Sequence, residues 1–369
     1  MAKINKVEDV DKAMGAKVAD PNSLVYYDPR NDDRFVIEGL AFFEENNKEY
    51  FRIPLNKKNE VSDAVYWLAG QPSGGQIRFI TNAKKISVKV KNKGDYLMCH
   101  MACTGQQGVD LYYKRKKERK YNFFTCAKFS APTSEFESMI FEADEKEEKE
   151  IIINLPLYEG LEEILIATEQ DAYIKKAKDR KIKGRVVIYG TSITQGGCAS
   201  RPGMAFSNIL SRRLDVEFIN LGFSGSGLGE IELANIATSI DDVNLLILDY
   251  EANGGATGDM KSNLEPFIDT FRKRYPSTPI LVMSKPPFSN FVFLKKFIDS
   301  RKFYFEFQKG VVEKRRNNGD ENIYFYDGGK VFGNKDILES CVDGTHPTDL
   351  GFYRMANSLQ PIITKLLKK

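Results

Sequence analysis

Apolar positions recur with two different periods along this chain. Between Arg34 and Thr168 they alternate with polar residues or gather in short runs, at 35–43, 76–81, 86–90, 95–101, 109–113, 121–126, 136–141, 150–155 and 163–167. A period of two puts one face of a strand on a core and the other in water, and the β-branched and aromatic residues that fill these runs suit a pleated surface. Short strands divided by Gly, Asn and charged turns predict an all-β sandwich, jelly-roll-like, over residues 34–174, after an N-terminal lead-in at 1–33. The charged runs 114–120 and 144–150 read as solvated turns at the ends of such strands.

A polar stretch at 175–183 reads as a linker, and beyond it the period changes. Val186-Val187-Ile188-Tyr189 is a short apolar strand, and 205–214 has helical spacing. Further buried-type strands at 216–221, 244–248, 279–283 and 323–326 are each followed by a helical segment, at 229–239, 260–274, 291–316 and 349–367. Alternating strand and helix predicts a parallel sheet covered on both faces over residues 184–369. The whole is then an α/β chain of two domains.

Composition narrows the function classes. The net charge of +3 over 369 residues is too small to imply nucleic acid or an acidic membrane surface. No apolar run approaches a membrane span, and Met1-Ala2-Lys3-Ile4-Asn5-Lys6 lacks a signal-peptide core, so a soluble protein is expected, secreted or periplasmic where a leader has been removed. Cys99, Cys103, Cys126, Cys198 and Cys341 are too scattered for a disulfide framework, and no Cys/His spacing suggests a metal site. No metal or organic cofactor is expected, and neither oligomeric state nor protein partner is set by these features.

The candidate chemistry lies on one edge of the expected parallel sheet, because ligands bind outside the carboxyl ends of its strands. Ser192 follows the first strand, Gly222 the second, Asn253 the third, and Asp343 with His346 precede the last helix. A serine hydroxyl needs a base before it attacks, imidazole is suited to that near neutral pH, and an aspartate beside it fixes the tautomer. Taken singly, Ser192 reads as a helix cap, His346 as a loop residue, and Asp343 and Asn253 as turn formers. Their convergence from separate loops favours one site. The chain has two histidines, and the other, His100, lies in a strand-like run and reads as structural. Arg201 closely follows the serine loop and reads either as a substrate-binding cation or as half of a salt bridge. Phe288 and Phe291, after the fourth strand, read as core packing, with the lining of a pocket as the alternative. Cys198 and Cys341 flank the serine and the Asp343 loop, and so are expected either as a disulfide or as packed free thiols.

From Gly184 onward the chain resembles the SGNH (GDSL-type) hydrolase superfamily. Gly190-Thr191-Ser192-Ile193, Gly222, Asn253 and Asp343-Gly344-Thr345-His346 match its four blocks in order. Thr191 stands where the first block usually has Asp, and Glu251 and Gly254 flank Asn253 in place of the usual neighbours. Gly108-Val109-Asp110-Leu111-Tyr112 and the string from Ser192 to Gly203 are similar to a bacterial two-domain subgroup that joins a β-sandwich to the hydrolase. The resemblance implies a flavodoxin-like three-layer α/β/α domain and a serine esterase. Ser192 would be the nucleophile, His346 the base and Asp343 its orienting acid. The N–H groups of Ser192 and Gly222 and the Asn253 amide would form the oxyanion hole. It implies a small acyl ester, acetyl first, on a carbohydrate alcohol as substrate. Short-chain lipid esters, thioesters, or glycan binding by a degenerate hydrolase are the alternatives.

Overall fold

The computed structural model describes residues 6–18, 20, 23–289 and 293–368. The first part is built from β1 (Leu24–Tyr27), β2 (Val36–Glu38), β3 (Gln76–Thr81), β4 (Lys85–Asn92), β5 (Asp110–Arg115), β6 (Asn122–Cys126), β7 (Glu135–Glu142), β8 (Lys149–Asn154), β9 (Leu161–Glu169) and β10 (Ile174–Lys176). One sheet runs β1-β9-β4-β7 and the other β10-β3-β8-β5-β6, with β2 also on β3. Adjacent strands pair antiparallel, for example β4 with β9 and β3 with β8. The alternating positions predicted from sequence meet between the sheets: Ile86, Val88, Val90, Ile164 and Ile166 from one, Ile77, Phe79, Ile151 and Ile153 from the other.

Three expectations change here. The sandwich begins at Leu24, because β1 pairs with β9, so part of the lead-in is a strand of the domain. The run 95–101 is a loop, not a strand; its backbone is held by Gln106, which accepts from Met98 N–H at 3.0 Å and donates to Tyr96 O at 2.7 Å. The stretch 175–183 is not a loose linker. Ile174–Lys176 pairs with β3, and buried Arg180 donates to Glu38 at 2.8 Å and Gln76 at 2.6 Å.

The second part has an all-parallel sheet of β11 (Arg185–Gly190), β12 (Glu217–Gly222), β13 (Val243–Asp249), β14 (Ile280–Met283) and β15 (Ile323–Tyr326), ordered β12-β11-β13-β14-β15. That is the flavodoxin-like order. Strand β11 shows why the fold is stable. Val187 and Tyr189 pack into a core roofed by Ile231–Ser239, Met260–Arg274 and Lys295–Asn317. Val186 and Ile188 pack into the opposite core under Phe206–Leu214 and Asp349–Leu366. All four are fully buried, each contributing roughly 1.5–3 kcal/mol by burial. A strand buried on both faces reads as a continuous apolar run, as this one does.

The two parts share a core. Between β2 and β3 the chain leaves the sandwich and forms the helix Asp63–Ala69, capped by Ser62, whose hydroxyl accepts from Val65 N–H at 3.3 Å. Phe51, Ile53, Val65 and Leu68 then pack with Leu221, Phe223 and Leu233 of the parallel-sheet domain. Arg52, fully buried, donates to Asn220 O at 3.1 Å, Gly222 O at 2.5 Å and Leu68 O at 2.7 Å. Among the described residues no helix is long and apolar enough to cross a membrane.

Candidate active site

The order reversal of the parallel sheet lies between β11 and its two neighbours, β12 and β13, and open α/β sheets bind ligands in a crevice at the carboxyl ends of the strands at such a point. Strand β11 stops at Gly190, where a Cβ would lie 2.0 Å from Thr194 Oγ1 and 2.6 Å from Asp249 O. Thr191 caps the one-turn helix Ser192–Gln195, its hydroxyl accepting from Ile193 N–H at 3.4 Å, and Gly196 ends it at φ +112°. This sharp strand-to-helix turn presents Ser192 at the crevice, 8% exposed. Standing at the first position of a helix, the Ser192 N–H has no partner within that helix.

The loop before Asp349–Leu366 folds around one carboxylate. Asp343 Oδ1 accepts from His346 N–H at 2.7 Å and Thr345 N–H at 2.9 Å, while Oδ2 lies 2.7 Å from His346 Nδ1. Partial burial alone would raise this carboxyl; the bonds from the His346 ring and the two backbone N–H groups outweigh it and bring it down to about 2. A carboxylate facing Nδ1 assigns the proton to that nitrogen, so the Nε2 lone pair points away from Asp343. Ser192 Oγ lies 2.9 Å from that Nε2. The structure therefore brings Ser192 from one loop and Asp343 with His346 from another into one hydrogen-bonded row.

The expected oxyanion donors fare differently. The Gly222 N–H donates to Asn220 Oδ1 at 2.9 Å, so it is committed inside the fold. A Cβ at Gly222 would meet Gln195 N at 2.3 Å, which makes this glycine a packing requirement of the helix Ser192–Gln195. Gly222 is thus withdrawn as an oxyanion donor. Gly225, three residues on, has φ +68° and open space where a Cβ would stand. Among the described residues its N–H has no hydrogen-bond partner. The sequence signal was present in Asn220-Leu221-Gly222-Phe223-Ser224-Gly225, but nothing in it told which glycine N–H is committed to a neighbour. Asn253 lies in the wide turn Glu251–Gly255, and its Oδ1 accepts from Gly227 N–H at 3.4 Å, which turns the amide NH₂ away from that loop. Buried Glu251 holds the turn by accepting from Lys285 N–H at 2.8 Å and Gln308 Nε2 at 2.7 Å.

The sandwich domain clamps the Ser192 loop. Tyr158 OH donates to Ser192 O at 3.1 Å, Thr104 Oγ1 to Ser200 O at 2.6 Å, and Gln195 Nε2 to Leu157 O at 3.1 Å. A Cβ on Gly105 would lie 2.0 Å from Ala199 O, so the backbones touch there. Arg201 belongs to this junction. It pairs with fully buried Asp110 at 3.0 Å and stacks over Phe123 at 3.6 Å. Arg201 lines a cavity of about 550 Å³ whose walls include Tyr112, Arg212 and Tyr353 but not Ser192, Asp343 or His346. Of its two expected readings, the geometry supplies the salt bridge.

His100 is the site residue that sequence reasoning missed. Its ring centroid lies 5.7 Å from that of His346, edge to face, so the loop misread as a strand carries an imidazole from the sandwich domain to the crevice. No local spacing could show this, because the contact spans 246 positions of sequence by the two residue numbers, 346 − 100. All five cysteines are free, which removes the disulfide reading of Cys198 and Cys341. Burial pushes the Cys198 thiol up to about 12 and that of Cys341 up to about 11. Phe288 is buried in the core, and Phe291 lies outside the described residues.

Comparison with known proteins agrees with this architecture. The model of the GDSL-like lipase/acylhydrolase family matches residues 183–364, and that of the N-terminus of SGNH-hydrolase-type esterases matches residues 24–174. A solved protein of Bacteroides ovatus, described as a GDSL-like lipase, is 33% identical over 94% of this chain and 98% of its own, with a TM-score of 0.84. The chain belongs to the SGNH (GDSL-like) hydrolase family. Two more distant structures share the fold of this SGNH hydrolase over 94% of its length and 98% of theirs. The salicylyl-acyltransferase SsfX3 of a tetracycline biosynthetic pathway is 19% identical with a TM-score of 0.75. A family two carbohydrate esterase of Cellvibrio japonicus is 13% identical with a TM-score of 0.57. No curated protein matches the chain.

Proposed function

We propose that this SGNH hydrolase is a serine esterase that removes small acyl groups, acetyl foremost, from a carbohydrate alcohol. The observation that carries the chemistry is the row from Asp343 Oδ2 through His346 to Ser192 Oγ, with contacts of 2.7 Å and 2.9 Å. His346 Nε2 accepts the Ser192 proton as Oγ attacks the acyl carbon, and Asp343 stabilises the imidazolium that results. The alcohol leaves with the proton returned by His346, and water then cleaves the acyl-enzyme by the same steps in reverse roles. The Asn253 amide, with the backbone N–H groups of Ser192 and Gly225, serves the oxyanion. Support for a carbohydrate alcohol is the likeness of fold to the Cellvibrio japonicus carbohydrate esterase. Short-chain lipid esters and thioesters are the second reading, since the same row acts on any acyl carbonyl that fits.

Hydrolysis of p-nitrophenyl acetate by the wild type and by Ser192→Ala tests the chemistry. A rate lost in the variant supports Ser192 as nucleophile, and equal rates overturn it. A panel of acetylated saccharides, short acyl lipids and acyl thioesters tests the substrate. Glycan binding with no ester cleaved would favour a binding protein on a degenerate hydrolase scaffold.

A further inference from the structure

His100, Cys198 and His346 converge on one small volume. One ligand-type atom from each residue lies within 4.8 Å of the other two. A tetrahedral zinc ion, with bonds of about 2.0–2.3 Å, would hold such atoms about 3.3–3.6 Å apart, so donor-atom shifts of about an ångström would close the set. The donor chemistry is two imidazoles and a thiol, which suits zinc and disfavours magnesium or calcium. His346 is already arranged as a ligand: its Nδ1 faces Asp343 Oδ2 at 2.7 Å, and a carboxylate behind an imidazole fixes the orientation of the ring. That other nitrogen, Nε2, is 2.9 Å from Ser192 Oγ. One lone pair cannot accept the serine proton and bind a cation at once.

We propose that His100, Cys198 and His346 form a site for one zinc-type divalent cation, and that its occupancy silences Ser192 reversibly. Zinc takes the place of the Cys198 thiol proton, which passes to solvent, and of the Ser192 hydrogen bond on His346. The fourth position stays open to water or to an oxygen ligand, as three protein donors allow. His100 ties this control to domain docking, since it is the donor that the sandwich supplies. The silencing half rests on the esterase reading above, and the binding half does not.

The two halves are separable by experiment. Zinc chloride and magnesium chloride are titrated by calorimetry into the full-length Ser192→Ala variant, which keeps all three donors and needs no activity. One zinc per chain and no magnesium are expected. Adding His100→Ala or Cys198→Ser to that background is expected to weaken zinc binding by about tenfold or more. If the buried Cys198→Ser change impairs folding, His100→Ala on its surface loop decides. No stoichiometric zinc binding, or binding that His100→Ala leaves within about twofold, overturns the site. In the wild type, zinc should abolish p-nitrophenyl acetate hydrolysis and a chelator restore it, with about tenfold more zinc needed for His100→Ala. Stoichiometric binding without inhibition overturns the silencing half alone. Absence of hydrolysis before any zinc is added overturns the esterase reading while the binding result stands.

Discussion

Asp249, at the carboxyl end of β13, should make this protein less stable as pH rises through neutrality. Its side chain is 5% exposed and has one described side-chain partner, Thr194 Oγ1, which donates at 2.9 Å. Desolvation dominates, the Thr194 bond opposes it, and the charge of nearby Glu251 adds to it, so the carboxyl is pushed up from an ordinary 3.8 to about 7. Between those two values the folded chain binds more protons than the unfolded chain, and stability therefore falls with rising pH. The contribution is fully present below the unfolded-state value and is lost as pH passes through about 7. One proton more in the folded state is worth about 1.36 kcal/mol for each pH unit crossed, so going from about pH 5.5 to about pH 8 removes ~2 kcal/mol. For a domain of this size that is roughly 4–8 °C in the unfolding midpoint. Asp249→Asn keeps the shape and the Thr194 bond but cannot ionise. Thermal unfolding followed by circular dichroism at the two pH values isolates the group, because other titrations shift both proteins alike. The wild type should lose roughly 4–8 °C more than the variant on going to the higher pH. Equal shifts in the two proteins would refute the reasoning.

Asn253→Ala removes one proposed oxyanion donor and is expected to lower kcat for p-nitrophenyl acetate by about 10²–10³ with little change in KM; a loss confined to KM would count against that role. Gly222→Ala drives a Cβ to 2.3 Å from Gln195 N, so it should lower the unfolding midpoint, whereas Gly225→Ala meets open space and should cost only about 1–2 kcal/mol for its left-handed backbone. Melting both variants checks this, and a milder effect at Gly222 would contradict the packing. Asp110→Ala strips the partner from Arg201 and from Gly203 N–H at 2.8 Å, and is expected to cost about 3–5 kcal/mol in urea unfolding; a change under about 1 kcal/mol would show that the junction does not depend on it.

Much of this arrangement was legible along the chain. The apolar run Val186-Val187-Ile188-Tyr189 identifies a strand buried on both faces, and the structure covers it on both. Alternation in 86–90 and 150–155 identifies strands with one face inward. Ser192, Asp343 and His346 were readable because each stands in a loop just beyond a strand or just before a helix, and a parallel sheet gathers such loops at one edge. The run 95–101 misled because its residues suit a strand, while its backbone is satisfied by the Gln106 side chain instead of a neighbouring strand.

Periodicity and loop position, which are local, thus determined the two architectures and the three residues of the hydrogen-bonded row. Tertiary structure alone decided which glycine is committed and which is open, because that depends on where the Asn220 side chain reaches. It alone paired Arg201 with Asp110 and set His100 beside His346. Those contacts join residues far apart in sequence across a domain junction, and neither local propensity nor spacing carries information about what a fold brings together at such range.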